Sequence, residues 1–303
     1  MSVFRTGELR MDVSSQIIQL IFSGLTIGSI YALIAIGFVL TYNMTGVLNF
    51  AQGEFAMLGA MIAISFFSMK VPMFLAIILS ILIVACIGGI FERAAIYPAR
   101  NASLPTLIII TIGVAIAFRG LGILIWGTQS RALPAFSKND PITMLNAVIL
   151  PQSLWAIGIS LISFLVMFYF FNYTLIGKAV TACVVNRFAA RLMGIKPEFM
   201  SFISIIISAG LGAIAGIIIA PISGASYDMG LTLGMKAFVA AVIGGLTNAP
   251  AAIIGAFLIG LLEAFTEGLW SSGYKDAISF ALLLLVLFLM PNGLFSKRSG
   301  KRV

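Results

Sequence analysis

Four ionisable side chains fall inside, or at the edges of, long apolar runs: Glu54, Arg119, Lys236 and Glu263. An ion left in hydrocarbon costs at least ~2.5–3.5 kcal/mol on the most lenient insertion scale, so such groups are paired, interfacial or set in a watery cavity. Glu54 opens a predicted helix, where it either complements the positive end of the helix dipole or lines a pathway. Arg119 is expected to snorkel outward, and Lys236 to pair with Asp228 or Glu263. A proton relay through Glu54 or Glu263 is disfavoured, because neither has a second close carboxylate and the chain contains no histidine. Beside these charges lie two clusters of neutral hydrogen-bonding groups: Asn43, Thr45, Asn49 and Gln52 in one polar break, and Ser223, Ser226, Tyr227 and Thr232 in another. Together with Glu54 and Lys236 they are the candidate lining of a pathway for a small polar solute that is never tightly held. The plainer alternative is that they only satisfy backbone groups freed where a helix is interrupted at membrane depth.

Other chemistry has little support. No catalytic constellation is visible. The phosphate-cradling pattern G-x-x-x-x-G-K-[ST] is absent, so any ATP that drives transport is expected to be hydrolysed by another polypeptide. With no histidine and only Cys86 and Cys183, a transition-metal site is not expected, and the two cysteines are read as free thiols.

The elements that must position these residues are membrane helices. The chain is 61% hydrophobic and only 9% charged, against about 25% charged in a soluble domain, and several apolar runs approach the ~20 residues that cross a bilayer. Alternating segments of about ten residues, the mark of a membrane β-barrel, are missing. The reading is an all-α polytopic protein embedded in the lipid bilayer, with eight or nine passes: Ile17–Thr41, Glu54–Ser68, Met73–Gly89, Pro105–Trp126, Ser153–Phe171, Phe199–Ala220 stopping at Pro221, Met235–Gly245, Ala251–Phe265 and Ile278–Met290. Gly127–Leu150 is an ordered surface loop.

Organisation follows from the interruptions: a tail (1–16), a first membrane half (17–172), a basic central loop (173–198), a second half (199–291) and a basic tail (292–303). Placing the central loop, the Arg93–Arg100 loop and the C-terminal tail on one side puts ten Lys/Arg there against six opposite. By the positive-inside rule that side is cytoplasmic, and the +8 charge then reflects topology rather than nucleic-acid binding. A span, a polar break and a short span occur in each half. The copies are an odd number of spans apart, so they are inverted repeats with broken helices, a transporter feature. In the central loop Thr181–Met193 is expected to form one short helix ending at Gly194, a suitable C-cap. Arg187 and Arg191, four residues apart, would share a face, with Leu192 and Met193 ready to fill an apolar groove on a partner. The plainer reading is a positive-inside anchor.

G-L-T-I-G-S-I-Y-A-L-I-A-I-G-F-V-L-T-Y from Gly24, N-F-A-Q-G-E-F-A-M-L-G-A from Asn49, A-A-R-L-M-G-I at Ala189–Ile195, G-M-K-A-F-V-A-A-V-I-G-G-L at Gly234–Leu246 and Y-K-D-A-I-S-F-A-L-L at Tyr274–Leu283 resemble the LivH-type permeases of branched-chain amino acid ABC importers. The resemblance implies a fold like that of type II ABC importers and a multi-pass subunit of the bacterial inner membrane, without enzymatic activity. It also implies a second, LivM-type permease, two cytoplasmic ATPase subunits that use the ATP, no cofactor on this chain, and a periplasmic binding protein that delivers leucine, isoleucine or valine. The central loop becomes a coupling helix, carried by Lys178, Arg187, Ala189, Ala190, Arg191, Leu192, Met193 and Gly194. Gly127–Leu150 and Trp270–Asp276 would face the binding protein. Related permeases pass urea and other amides, and a lone ion-coupled carrier is the reading from a different class.

Overall fold

The structure is a computed structural model that describes residues 13–137, 140–144 and 147–290. The basic C-terminal tail, and most of the N-terminal one, therefore lie outside the described residues.

The chain folds into helices α1 (Val13–Thr45), α2 (Gln52–Ser68), α3 (Met73–Phe91), α4 (Leu104–Trp126), α5 (Pro151–Tyr173), α6 (Leu175–Val185), α7 (Arg187–Leu192), α8 (Pro197–Ser223), α9 (Met229–Gly244), α10 (Ala249–Leu269) and α11 (Lys275–Leu289). Seven of them (α1, α3, α4, α5, α8, α10 and α11 with its short lead-in) are long and apolar enough to span a bilayer. The short α2 and α9 make up the rest of the bundle. A two-stranded ribbon, β1 (Ile142–Met144) antiparallel to β2 (Ala147–Ile149), orders part of the loop after α4, so the fold is all-α within the bundle but carries this small addition.

Local sequence explains most helix starts. Pro105, Pro151, Pro197 and Pro250 occupy first-turn positions of α4, α5, α8 and α10, where a missing N–H costs nothing. Ser103, Thr174, Asn186 and Asn248 accept first-turn N–H groups of α4, α6, α7 and α10, which is N-capping.

Two expectations need correction. Pro221 does not stop α8, which runs on to Ser223 with the proline in its last turn. And α9 starts at Met229, six residues before the predicted Met235. The stretch around Gly230 and Gly234 that looked like a loop is helix.

Packing reveals the repeat. α1 lies against α10 as α8 lies against α3, α2 against α8 as α9 against α1, and α4 beside α2 as α11 beside α9. These contacts interchange when α1–α4 is exchanged with α8–α11, which is what two pseudo-repeated halves require. Of the seven membrane-length helices α1 and α8 are the most enclosed, whereas α4, α5 and α11 keep most of their surface exposed. Close approach in lipid needs small residues: at the α1–α10 seam a Cβ on Gly260 would strike Gly28 and Gly24 backbone.

The ends of the bundle are marked by polar contacts. Asn43, near the end of α1, donates to the Thr247 carbonyl between α9 and α10 (3.2 Å), and Thr45 shares a cavity with Tyr97, Arg100 and α7. At the other end Trp126 of α4 donates to Ser65 of α2 (2.6 Å), and Arg131 after α4 pairs with Ala225 between α8 and α9. The central and Arg93–Arg100 loops thus share one end and the ribbon loop occupies the other, as the alternation of passes demands.

Candidate functional site

The centre of the molecule is where the two short helices begin. Gln52, the first residue of α2, lies beside Ser208, the twelfth residue of the 27-residue α8. The start of α2 is therefore at mid-depth. There its N-terminus meets the N-terminus of α9: a Cβ on Gly53 would strike the Gly230 carbonyl oxygen and sit 2.7 Å from the Gly234 Cα. Glycine at these positions lets two broken helices touch backbone to backbone.

Both breaks bond backbone groups to partners, the first at mid-depth and the second at the ribbon end. In the first, the Phe50 N–H reaches the Thr111 hydroxyl of α4 (3.3 Å) and the Asn49 Oδ1 accepts from Ala51 (3.1 Å). In the second, Arg131 and Ala225 exchange two backbone bonds of 2.9 and 2.7 Å.

The predicted pathway residues separate into three groups. Gln52 is sealed in the core: its amide donates to the Ser208 carbonyl (2.9 Å), and its oxygen lies 2.6 Å from the Ser208 hydroxyl. Asn49 is equally buried. Ser226, Thr232 and Ser223 make only local bonds, with Asp228, the Met229 carbonyl and the Gly224 carbonyl respectively, and Tyr227 is half-buried beside them. Asn43 and Thr45 line cavities at the α7 end, of about 490 and 370 Å³.

The charges depart further from expectation. Arg119 does not snorkel outward: it donates to Glu54 Oε1 at 2.7 Å, joining α4 to α2. Glu54 is almost wholly buried. Lys236 pairs with Glu263 (3.1 Å), as one expected alternative had it, but its other partner is Asp276 of α11 (2.7 Å) and not Asp228. Tyr31 and Ser279 donate to the Glu263 oxygens at 2.8 and 2.7 Å. Glu263 thus has a second carboxylate within one lysine of it, which its sequence surroundings did not reveal. By the repeat, α2–α4 corresponds to α9–α11, so each broken helix is tethered by a charge pair to the last helix of its own half. The polarity is reversed, with the acid on α2 and the base on α9.

The central loop forms two helices, not one. Asn186 ends α6 and caps α7, accepting from Ala189 at 2.9 Å. Gly194 then turns the chain with φ +81°. Ala190 faces inward, in a small core with Met44, Val180, Cys183 and Met200. Arg191 pairs with Glu198 of α8, so it pins α7 to the bundle and does not stand free with Arg187. Lys178, Arg187, Ala189, Leu192 and Met193 are exposed, and Phe188 and Val185 join them. These last two were not singled out from sequence, where they resembled ordinary helix-interior apolar residues.

Burial pushes the Cys183 thiol above its usual range, against the lowering pull of Arg187 and helped by Glu198. The thiolate is the reactive species. Cys183 is therefore expected to react with maleimide more slowly than a cysteine placed at exposed Lys178 in a Cys86→Ser/Cys183→Ser background, with the gap narrowing as pH rises above the ordinary thiol midpoint of ~8.5. Equal rates at neutral pH would contradict the packing drawn for α6.

Comparison with known proteins agrees with this architecture. Residues 20–287 match the family model described as branched-chain amino acid transport system / permease component. The chain belongs to that family. This permease is 34% identical to the high-affinity branched-chain amino acid transport system permease protein LivH of Salmonella typhimurium, over 94% of its own length and 97% of that protein. It is 33% identical to BraD of Pseudomonas aeruginosa, a permease protein of the same description, over 94% and 98%. It is 28% identical to the ribose import permease protein RbsC of Haemophilus influenzae, over 89% and 84%. No solved structure matches it. The permease is thus a multi-pass inner-membrane subunit of the ABC importer class, a family of transport proteins that work with other importer components.

Proposed function

We propose that this permease forms part of the translocation pathway of a high-affinity importer for leucine, isoleucine and valine. The reading is carried by similarity at 33–34% identity, nearly end to end, with permeases named for that transport. In this reading a LivM-type permease covers the exposed faces of α4 and α9, one of two cytoplasmic ATPases grips α7, and a periplasmic binding protein docks at the ribbon end. The ATPases use the ATP. This chain holds no cofactor and catalyses no reaction.

The coupling argument is mechanical. The α6–α7 unit rests on the end of α1 through Met44 and on α8 through the Arg191–Glu198 pair. α8 in turn holds the start of α2, where Gln52 meets Ser208, and α1 packs along α9. A push on α7 is delivered to the helices that hold the central crossing.

The test uses cells that lack this chain, complemented with wild type or with Arg187→Glu/Leu192→Ser, two positions where a substitution disturbs no buried contact. Wild type is expected to restore uptake of labelled leucine. Hot-spot truncations cost ~2 kcal/mol or more, so the variant is expected to insert normally but to lose about thirtyfold in ATPase association, with uptake falling in step. Unchanged leucine uptake without the chain, or restored uptake of urea alone, would overturn the substrate assignment. Full ATPase co-purification with the variant would overturn the role of α7.

A further inference from the structure

Between α3 and α8, toward the end of the bundle that carries the central loop, lies an open groove of about 580 Å³. Cys86, Gly89, Ile90, Arg93, Phe202 and Ile206 are among its walls, and its lining is almost wholly apolar. Both helices are long and apolar enough to span a bilayer, and Cys86 and Ile90 are exposed. The groove therefore faces hydrocarbon or another apolar chain. Gly89 makes it possible: a Cβ there would come within 3.1 Å of the Phe202 ring. Cys86 and Ile206 lie deeper in the span, and Arg93 stands at the loop end.

Arg93 does not trail freely into water. Its guanidinium carbon is 5.0 Å from the centre of the Phe202 ring and 5.1 Å from that of Tyr97, within cation–π range. Its Nε is 3.7 Å from Oε2 of buried Glu92, too far for a hydrogen bond. Among the described residues none accepts a hydrogen bond from Arg93, and its side chain is 50% exposed. Rings and charge thus fix the cation in place while its donors remain unspent. Arg100, 4.4 Å from the Tyr97 ring centre, adds a second positive charge nearby. The repeat supplies a comparison. Exchanging the halves carries the α3–α8 groove onto an α1–α10 groove at the opposite end, of about 260 Å³, lined in part by Gln16, Gln19 and Glu267. Glu267 there is already paired, with Lys275 at 3.0 Å. One copy is polar and acidic, and the other is apolar and closed by an unspent cation.

We propose that the α3–α8 groove binds an anionic glycerophospholipid of the leaflet on the central-loop side. One acyl chain lies along Ile90, Cys86 and Ile206, and the phosphate accepts hydrogen bonds from Arg93. Basic pockets between membrane helices on the cytoplasmic side recognise such headgroups, and the Lys/Arg bias puts this end on that side. Charge favours a lipid over a second apolar helix. A helix would fill the trough but cover the Arg93 donors without an acceptor, which is costly. A seated lipid braces α3 against α8 one turn from Glu198, the partner of Arg191 on α7. Bilayer composition then acts at the root of the α6–α7 unit, whichever solute the importer carries.

Cys86 is a built-in reporter. In the purified, detergent-solubilised importer carrying Cys183→Ser it is the one thiol of this chain, and its labelling by N-ethylmaleimide is read on this chain by mass. Phosphatidylglycerol is expected to slow labelling, with a midpoint about fivefold lower than that of phosphatidylcholine with the same acyl chains, the ratio that one basic residue near the surface supplies. Glycerol 3-phosphate, which has the phosphate and no chain, is expected to leave the rate unchanged. Arg93→Gln is expected to bring the two lipid midpoints within twofold of each other. Lys196→Gln, which removes an exposed cation on the same side but away from the groove, is expected to keep the fivefold preference. Equal midpoints for the two lipids would overturn the proposal, as would a preference that survives Arg93→Gln or is lost in Lys196→Gln. Protection by glycerol 3-phosphate would make this a soluble-anion site. No protection by either lipid would mean that another subunit covers the groove. Each of these two results also overturns the proposal. Should Arg93→Gln fail to assemble, the comparison of the three ligands on the Cys183→Ser importer decides alone.

Discussion

Gly53→Val is expected to yield little or no folded permease. The new side chain would meet the Gly230 carbonyl oxygen and the Gly234 Cα, atoms of main chain that no rotamer change can move. α2 has no room to retreat, since Gly59 and Ala56 lie equally close to Ala213 and Gly216 of α8 on its other side. Overpacking costs ~1–3 kcal/mol where side chains can yield and more where they cannot. Here two helix starts would have to separate, and with them the closure of both breaks. The measurement is the monodisperse fraction and thermal midpoint in detergent. Gly113→Val is the control: a Cβ there meets nothing within 4 Å, so it is expected to behave almost as wild type. Similar behaviour of the two variants would mean that the α2–α9 contact is not as close as drawn.

Lys236→Met is the second large effect expected. It leaves Glu263, wholly buried and held by Tyr31 and Ser279, without its cation. Breaking a buried ion pair by removing one partner costs about 3–5 kcal/mol, whereas replacing both partners is often close to neutral. Lys236→Met/Glu263→Gln is therefore expected to recover much of the loss. Asp276→Asn should cost far less, because Asp276 is 61% exposed at its side chain and water replaces the lost partner. Equilibrium unfolding of the four proteins in one detergent checks the order. Equal losses for Lys236→Met and Asp276→Asn, or no recovery in the double variant, would contradict a network centred on Glu263.

What could be read in advance and what could not divide along a physical line. Apolar runs of membrane length announce themselves because lipid demands them, so the spans around Leu104–Trp126 and Met73–Phe91 were expected within a residue or two. Glycine misled. In D-M-G-L-T-L-G it reads as a breaker, but Gly230 is in α9 because the Gly53 backbone passes against it. The same absence of a side chain serves a turn or a close crossing, and only the neighbour distinguishes them. Pairings misled as well: Glu54 and Arg119 are 65 residues apart, and Lys236 and Asp276 are on helices separated by α10. No local pattern records such partners, and an arginine alone in an apolar run therefore looked as if it must reach for water. In the central loop, N-R-F-A-A-R-L could be seen to be helical, but that Asn186 would end one helix and begin another depended on its capping geometry.

The paired backbone bonds between Arg131 and Ala225 close one further circuit. They splice the loop that follows α4 onto the peptide that feeds α9, although the two are almost a hundred residues apart in the chain. The splice is made of main chain, so it does not depend on which side chains evolution tries there. It bypasses the apolar packing of α8 and turns the surface loop and a broken helix into one lever. Whatever leans on the outer rim of the protein leans, through two hydrogen bonds, on the helix start at its centre.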